Sequence, residues 1–163
     1  MNKTKTPTKG AGATFWRLSG EPKTEISEED IFNDEKWNRI SQLKELTPGE
    51  ITVEDEEDNY LDDDEPEWTK TTPGQKTAGE VNITIAWKPG ETEQKQLAND
   101  LDKSVVTFYR AKYPNGTCDV WYGYVNKLGK AIAIKDKMTR TVSIKPVGKP
   151  KIAEWMTTPD SGE

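Results

Sequence analysis

The residues with the clearest chemical potential are the carboxylates crowded into one central segment. Residues 54–67 read EDEEDNYLDDDEPE, in which ten of fourteen positions are acidic and none is basic. Asp62, Asp63, Asp64 and Glu65 offer hard oxygens of the kind that Ca²⁺ takes, but an EF-hand alternates its ligands around a Gly, and paired-carboxylate hydrolases draw their acids from separate strands. The spacing therefore favours a solvated or partner-facing segment, and we expect no metal site.

Large apolar side chains interrupt this acidic segment at Tyr60, Leu61 and Trp68. Polar loops seldom keep such groups unless something buries them, so they fold back on their own domain or dock on a partner, and the sequence leaves both readings open. Like-charge repulsion predicts a mobile loop over 54–78. A loop of that length greatly exceeds the usual length of about 4 to 6 residues.

The rest of the composition excludes several classes of protein. The chain has 163 residues, a net charge of −6, one cysteine and no histidine, so an internal disulfide and the common zinc and Ser-His-Asp sites are excluded. No apolar run approaches the roughly 20 residues of a membrane span, and the first ten residues lack a secretion signal. We expect a soluble protein made in a cytoplasm, without cofactor or catalytic residues. Its acidity argues against tight wrapping of nucleic acid.

Apolar periodicity predicts the elements that hold this segment. Val81, Ile83 and Ile85 alternate as in a half-buried strand, and a helix is expected over 92–103. Strands are expected over 105–113 and 117–128, followed by a turn at Gly129. Further strand positions are expected at four residues: Ile132, Ile134, Val142 and Ile144. Two interpretations stay open for the next stretch: a tight helix on Trp37, Ile40, Leu43 and Leu46, or a bent strand pair around Pro48 and Gly49 on Ile40, Leu46, Ile51 and Val53.

A hairpin is predicted around Asn115-Gly116, because this pair suits a type I′ turn. Aromatic residues are dense on either side of it: Tyr109, Tyr113, Trp121, Tyr122 and Tyr124. They could stack on a sugar, but cross-strand packing is the commoner role. These elements predict an all-β protein, a β-sandwich or flattened barrel with one α-helix and a long acidic loop. The expected organisation is a flexible arm over 1–12, a β domain over 13–150 and a tail over 151–163.

Seven stretches of the sequence resemble the major tail tube protein of lambda-like siphophages. They are KGAGATFW (9–16), LTPGEITVEDEEDNYLDDDEPEWT (46–69), GQKTAGE (74–80), AWKPGE (86–91), YPNGTCDVWYGYV (113–125), LGKAI (128–132) and TRTVSIKPVGKPKIAE (139–154). The fold implied is also similar to that of the type VI secretion tube protein. The lambda-type protein continues into a C-terminal immunoglobulin-like domain, whereas this sequence stops at Glu163, so we expect a smooth tube.

The resemblance implies a structural virion protein that forms stacked hexameric rings, the tail tube through which genomic DNA passes. It implies partners at the tail tip, the tail terminator, the tape measure protein and a tail assembly chaperone, with assembly in the host cytoplasm. The implied contacts between rings lie in the acidic loop: Asp58, Tyr60, Leu61, Asp62, Asp63, Asp64 and Trp68. The implied hairpin and inner-sheet positions are Tyr113, Asn115, Gly116, Trp121 and Tyr124. The implied N-terminal arm positions are Lys9, Gly10 and Gly12.

Two hypotheses accompany this reading. Residues 54–72 and 1–12 are expected to order only on assembly, which delays polymerisation until an initiator presents a ring. Carboxylates are expected to predominate on the lumen wall so that DNA slides without sticking. The alternatives from other classes are a carbohydrate-binding β-sandwich and a metal-dependent hydrolase.

Overall fold

The computed structural model of the chain describes residues 9–62 and 64–156. Antiparallel strands dominate these residues and one helix is long, which confirms the all-β class with one main helix. The strands are β1 (Thr14–Leu18), β2 (Trp37–Ile40), β3 (Leu43–Thr47), β4 (Ile51–Glu57), β5 (Thr71–Ala78), β6 (Val81–Ala86), β7 (Val106–Lys112), β8 (Cys118–Ala131) and β9 (Thr139–Pro146). The helices are α1 (Glu28–Phe32) and α2 (Thr92–Asp102), and short 3-10 turns occupy Asp34–Lys36 and Ala153–Trp155.

Seven strands form one antiparallel sheet in the order β2-β1-β7-β8-β9-β6-β3. Its two outer strands, β2 and β3, are joined by Ser41 and Gln42 alone. A flat sheet of seven strands would hold its outer strands about 29 Å apart, whereas the three steps from Ile40 to Leu43 span about 11 Å at most. The sheet therefore curls until its edges approach, which gives the expected flattened barrel. The backbone amide of Ala86 donates to the carbonyl of Gln42 at 3.1 Å and holds the connection.

The inside of the curled sheet holds the main hydrophobic core. Phe15 stacks on Tyr109 and on Trp121, with ring centroids 6.1 and 6.4 Å apart. Val81, Ile83, Ile85, Val142 and Ile144 are buried there from β6 and β9, and Leu97 enters from α2. The predicted alternation of β6 and the predicted helix are therefore confirmed, because both follow from a local apolar period.

A second core lies on the opposite face of β1, β7 and β8. On β7, Tyr109 faces the first core and its neighbour Phe108 faces the second, so this strand is buried on both sides. The segment that contains α1 covers this face with the buried Ile31. Helix α1 begins at Ser27, whose Oγ accepts a hydrogen bond from the amide of Asp30 at 3.2 Å, as an N-cap serine does.

The ambiguous segment 37–46 forms strands, not a helix. Strand β2 pairs with β1, and β3 pairs with β6 in antiparallel register. Trp37 and Ile40 are buried in the two cores, while Leu43 and Leu46 pack against the first. Pairing with β1 and β6 therefore establishes strand structure here, which apolar periodicity alone does not distinguish from a helix.

The expected turn at Gly129 is wrong. Strand β8 continues through it to Ala131, and a Cβ at Gly129 would lie 2.6 Å from Oγ1 of Thr141 on β9, so this Gly permits close strand packing. The strand placement of Ile132 and Ile134 is also wrong, because both lie in the connection from β8 to β9 and are exposed. Strand pairing between β8 and β9 ends at Ala131 and Thr139, so the apolar alternation beyond Ala131 does not form a strand.

The expected loop over 54–78 is in large part a second, two-stranded sheet. Strands β4 and β5 pair antiparallel from Ile51–Ala78 to Glu57–Thr71, and only 58–70 connects them. Pro73 and Gly74 lie within β5, where a strand without a further neighbour tolerates them. Backbone pairing therefore holds this stretch in spite of its crowded acids.

The two ends of the described chain are attached to the domain. The amide of Ala13 donates to the carbonyl of Gly10 at 3.1 Å, and Gly12 adopts φ of 95°. Lys151 exchanges two backbone hydrogen bonds of 2.8 Å with Val120, so the domain extends past the expected boundary at 150. The remainder of the expected arm, 1–8, and of the expected tail, 157–163, lies outside the described residues.

Candidate functional site

The β4–β5 hairpin stands apart from both cores. Every residue of β4 is exposed, and no residue of β4 or β5 belongs to either hydrophobic cluster. Ile51 and Val53 of β4 present apolar surface to solvent. An isolated two-stranded ribbon is marginally stable in water, and within the described residues this hairpin packs against neither hydrophobic core.

The tip of the hairpin, residues 58–70, has local order of its own. The amide of Asp58 donates to the carbonyl of Lys70 at 2.8 Å, and the amide of Lys70 donates to Oδ1 of Asn59 at 2.9 Å. Tyr60 donates a hydrogen bond to Asp58, which raises the pKa of the tyrosine. The tip is therefore a folded turn. Asp63 lies outside the described residues.

Leu61 and Trp68 are exposed at this tip, as is Tyr60. The sequence left open whether these side chains fold back onto their own domain or dock on a partner. The structure shows that they do not fold back onto the domain. The acids named at the tip, Asp58, Asp62 and Asp64, flank the exposed groups along the chain. An apolar surface ringed by charge is typical of a contact site for another molecule.

Two glycines fix the base of the hairpin. A Cβ on Gly49 would lie 2.2 Å from the carbonyl carbon of Gly79, so the two backbones pass in direct contact. The amide of Gly79 donates to the carbonyl of Glu50 at 2.8 Å. The hairpin therefore leaves the barrel in a direction that the backbone crossing sets.

A buried ion pair ties α2 to the barrel. Arg17 donates from Nε and Nη2 to the two carboxylate oxygens of Asp100 at 2.6 and 2.9 Å, in bidentate geometry. The hydroxyl of Tyr109 donates to Asp100 Oδ2 at 3.1 Å, and burial, reinforced by the Asp100 charge, raises the pKa of Tyr109 well above its usual range. Helix α2 is thereby fixed against β1 and β7.

A buried arginine fixes the segment around α1. The guanidinium of Arg110 lies between Trp16 and Trp37, 4.6 and 5.0 Å from their ring centroids, and donates to the carbonyl of Ile31 at 2.6 Å. It also pairs with Asp34 at 2.9 Å. Burial alone would raise the pKa of Asp34, but hydrogen bonds from Lys112 and Arg110 outweigh that effect and hold the pKa below its usual value.

The hairpin between β7 and β8 differs from the expected type I′ turn. Gly116 has φ of 88°, but Asn115 is not in the left-handed region. The loop has three residues, 114–116, closed by a hydrogen bond from the amide of Tyr113 to the carbonyl of Thr117 at 2.9 Å. A Cβ on Gly12 would contact Pro114 at 3.4 Å, so the structure brings the N-terminal arm and this hairpin together. Lys9 and Gly10 precede that contact.

The aromatic residues near this hairpin do not form one exposed face. Trp121 and Tyr109 are buried in the first core, and Tyr113 packs on its edge while donating to Oδ2 of Asp119 at 2.7 Å. Tyr122 contacts Phe108 in the second core, with centroids 4.8 Å apart, and Tyr124 is half-buried. These aromatics act in packing, and no sugar platform is built from them.

Within residues 9–62 and 64–156, no three acids, cysteines or histidines are grouped to hold a metal ion. Burial raises the pKa of the Cys118 thiol to about 11, which leaves this cysteine a protonated, unreactive core residue at neutral pH. No described helix is long and apolar enough to cross a bilayer.

Sequence reasoning missed two further surfaces. One is the connection between β8 and β9, where Ile132 and Ile134 are exposed among lysines; the letters IAIKDK carry this signal but were interpreted as strand. The other is the outward face of β3, β6 and β9, on which uncharged polar residues predominate. Its residues at paired positions are Thr47, Asn82, Thr84, Thr139, Thr141, Ser143 and, as its one carboxylate, Glu45, and Lys145 lies on the same face of β9.

Comparison with protein families identifies the family to which the chain belongs. A sequence model described as lambda phage tail tube protein, TTP, matches residues 21–153. The chain belongs to the lambda phage tail tube protein family. The family match spans every strand of the barrel except β1, the acidic hairpin and both helices, and it confirms the resemblance found in the sequence. Comparison with curated protein sequences gave no match.

Solved structures share this tail tube fold at low sequence identity. The tail of an empty gene transfer agent particle, computed with helical refinement and C6 symmetry, is 9% identical, with a TM-score of 0.64 over 90% of this chain and 98% of that chain. The SPP1 tail tube is 14% identical, with a TM-score of 0.59 over 93% and 82%. A sheath-tube complex of an extracellular contractile injection system, PVC, is 11% identical, with a TM-score of 0.62 over 91% and 92%.

Proposed function

We propose that this family member is a structural subunit that assembles into hexameric rings, which stack into a non-contractile phage tail tube for genomic DNA. The observation that carries the proposal is the β4–β5 hairpin, an ordered ribbon that a single chain leaves without a core. The C6 symmetry of the similar gene transfer agent tail supports the hexamer. On this proposal the chain is no enzyme.

Ring formation has a physical basis in the barrel. The outer strands β2 and β3 end the sheet, and each presents backbone groups that its own sheet does not pair on one side. Closed assemblies remove such edges and so prevent uncontrolled pairing. The neighbouring subunit in the ring would cover these edges, while the hairpin reaches the next ring.

We further propose that the outward face of β3, β6 and β9 lines the lumen. Hydroxyl and amide groups predominate on this face, and they attract phosphate less strongly than lysine and arginine do. We therefore propose, in place of the expected carboxylate-rich wall, a wall of mostly neutral polar groups with Glu45 and Lys145 as its charged members. Asn82→Lys with Thr84→Lys should slow DNA release from assembled particles, and Asn99→Lys on α2 is the control. Unchanged release would contradict this placement.

In the tail, the tip complex would start the stack, the terminator would end it, and the tape measure protein and the assembly chaperone would set its length in the host cytoplasm. This part of the proposal follows from the family resemblance. The open-ended nature of a head-to-tail stack agrees with it, because such a stack needs separate components to start and stop it.

Electron microscopy of the purified protein, with and without tail tips as seeds, tests the proposed function. Tubes with six-fold end views are expected. A persistent monomer in the presence of seeds would overturn the proposal, and melting raised by a sugar or by Ca²⁺ would favour one of the other classes.

A further inference from the structure

Two connections between strands, which we call the β4–β5 tip (residues 58–70) and the β8–β9 tip (residues 132–138), lie at opposite ends of the same half of the sheet. Thr47 at the end of β3 pairs with Asn82 at the start of β6, and from this end the β4–β5 hairpin leaves. Ala86 at the other end of β6 pairs with Thr139, which in turn pairs with Ala131. The β8–β9 connection, residues 132–138, is therefore separated from the β4–β5 hairpin by the length of the strands. In a stack of copies along the strand direction, the two tips of neighbouring copies face each other.

Each tip exposes apolar side chains that the described part of the chain leaves uncovered. On the β4–β5 tip, Leu61 is 109% and Trp68 is 69% exposed. On the β8–β9 tip, Ile132 is 71% and Ile134 is 105% exposed. A single exposed apolar residue needs no explanation, but pairs of them at the ends of two projecting connections are typical of interaction sites.

The charges of the two tips are opposite. Residues 58–70 contain six acids and one lysine, whereas residues 130–140 contain four basic residues and one acid. Lys130 lies 4.3 Å from the centroid of the Trp87 ring, at the base of its tip, and Lys135 and Lys137 lie further out and are exposed. Opposite charge attracts one tip to the other, while acidic tips repel acidic ones and basic tips repel basic ones.

We propose that the β4–β5 tip of one copy docks on the β8–β9 tip of the next copy, with Leu61 and Trp68 against Ile132 and Ile134. This inference rests on the proposed tube and specifies its contact between rings. The contact joins two different surfaces, so it repeats without closing and gives the stack a direction. A nucleic acid or an anionic membrane would suit the basic tip alone, whereas a second copy satisfies both tips at once.

Charge reversal tests the contact. Lys135→Glu with Lys137→Glu makes both tips acidic, and Asp62→Lys, Asp64→Lys and Glu65→Lys together make both basic. Each set of substitutions should lower the yield of seeded tubes by at least about tenfold, because like charges then face each other. The five substitutions together give the two tips opposite charges again and should restore most of the yield. Lys23→Glu with Lys36→Glu, two exposed positions in the α1 segment, is the charge-matched control and should assemble normally.

The outcomes separate this contact from the proposed function. Failure of the unaltered protein to assemble on seeds would overturn the tube, and the contact with it. If the unaltered protein forms tubes, the contact alone would be overturned by normal assembly of both reversed variants or by no recovery in the variant that combines all five substitutions. Unchanged thermal melting of the reversed monomers shows that the barrel is intact.

Cysteine cross-linking tests the head-to-tail pairing directly. Leu61→Cys with Ile134→Cys in one chain should give a ladder of covalent multimers after mild oxidation of tubes, whereas either substitution alone should give no ladder. Cys118 is buried and stays out of the reaction. Leu61→Cys with Leu101→Cys, on exposed α2, is the matched control. Absence of the ladder in intact tubes, or an equal ladder in the control, would overturn the pairing.

Discussion

The barrel and the β4–β5 hairpin are both antiparallel sheet, yet they bury their side chains very differently. Strand β7 of the barrel is buried on both faces, whereas every residue of β4 is exposed. The barrel buries the bidentate ion pair between Arg17 and Asp100, whereas the hairpin exposes the apolar side chains of Ile51 and Val53 to solvent. Backbone pairing alone therefore forms a strand, but burial decides whether that strand is stable within one chain.

This difference in burial indicates that the barrel and the hairpin have different roles. The barrel buries its own core, whereas the described residues leave the hairpin exposed. On the proposed function, the barrel stays folded before assembly and the hairpin is covered by a neighbouring subunit. The same division explains why the acidic segment, which looks like the least ordered part of the sequence, forms the structured ribbon that we assign to the contact between rings.

Removing the hairpin gives the sharpest test of this division. Replacing residues 52–77 by Asn-Gly joins Ile51 to Ala78, which are cross-strand partners, through a two-residue turn. Assembly should be abolished, while the free energy of unfolding of the barrel should change by only about 1 kcal/mol, as expected for a change outside the core. Electron microscopy and urea unfolding measure the two effects. An unfolded barrel would show that the hairpin is part of the core unit.

Breaking the buried ion pair should act on the barrel instead. Asp100→Asn leaves the Arg17 guanidinium buried beside a neutral group, and unfolding by urea should show a loss of about 3 to 5 kcal/mol. Asp102→Asn, exposed at the end of the same helix, is the control and should lose less than about 0.5 kcal/mol. Equal losses in the two variants would mean that the pair does not hold α2.

Sequence patterns reveal the parts of this fold whose signal is local. The alternation of Val81, Ile83 and Ile85 and the apolar stripe of α2 each lie within a dozen residues, and both are confirmed. Arg17 and Asp100 are 83 positions apart, and no local period connects them. Ile132 and Ile134 alternate as strand residues do, but β8 ends at Ala131, where its pairing with Thr139 of β9 ends, and the local sequence does not reveal that end.

Substitution at the base of the hairpin tests how the two regions are joined. Gly49→Ala places a methyl group against the backbone of Gly79 and should displace the hairpin, at a cost of about 1 to 3 kcal/mol in stability and with reduced tube yield. Gly90→Ala is the control, because a Cβ there meets nothing within 4 Å. Tubes of normal yield from Gly49→Ala would show that the direction of the hairpin is not set here.

Acidification should lower the free energy of unfolding of the barrel, by less than the substitutions described above. Hydrogen bonds from Asn126 and Lys127 lower the pKa of Glu80, and those from Lys88 and Ser41 lower that of Glu91. Carboxylates with a lowered folded-state pKa stabilise the fold above the unfolded-state pKa, about 4.3 for Glu, and this contribution is lost as pH falls through the folded-state value.

Urea unfolding at pH 7, 5 and 3 measures this loss. Glu80→Gln with Glu91→Gln should show a flatter pH profile than the unaltered protein, and Glu28→Gln with Glu29→Gln is a matched exposed control. If Glu80→Gln with Glu91→Gln showed the same pH dependence of unfolding as the unaltered protein, these two carboxylates would not contribute to it.

Amide hydrogen exchange, compared between the free subunit and assembled tubes, tests the central claim most directly. The account predicts that amides of β7 and β8 exchange slowly in both states, because both faces of the barrel are covered there. Amides of β4, β5 and their tip should exchange quickly in the free subunit and become strongly protected in the tube. Strong protection of the hairpin in the free subunit, equal to that in the tube, would contradict the claim that neighbours complete it.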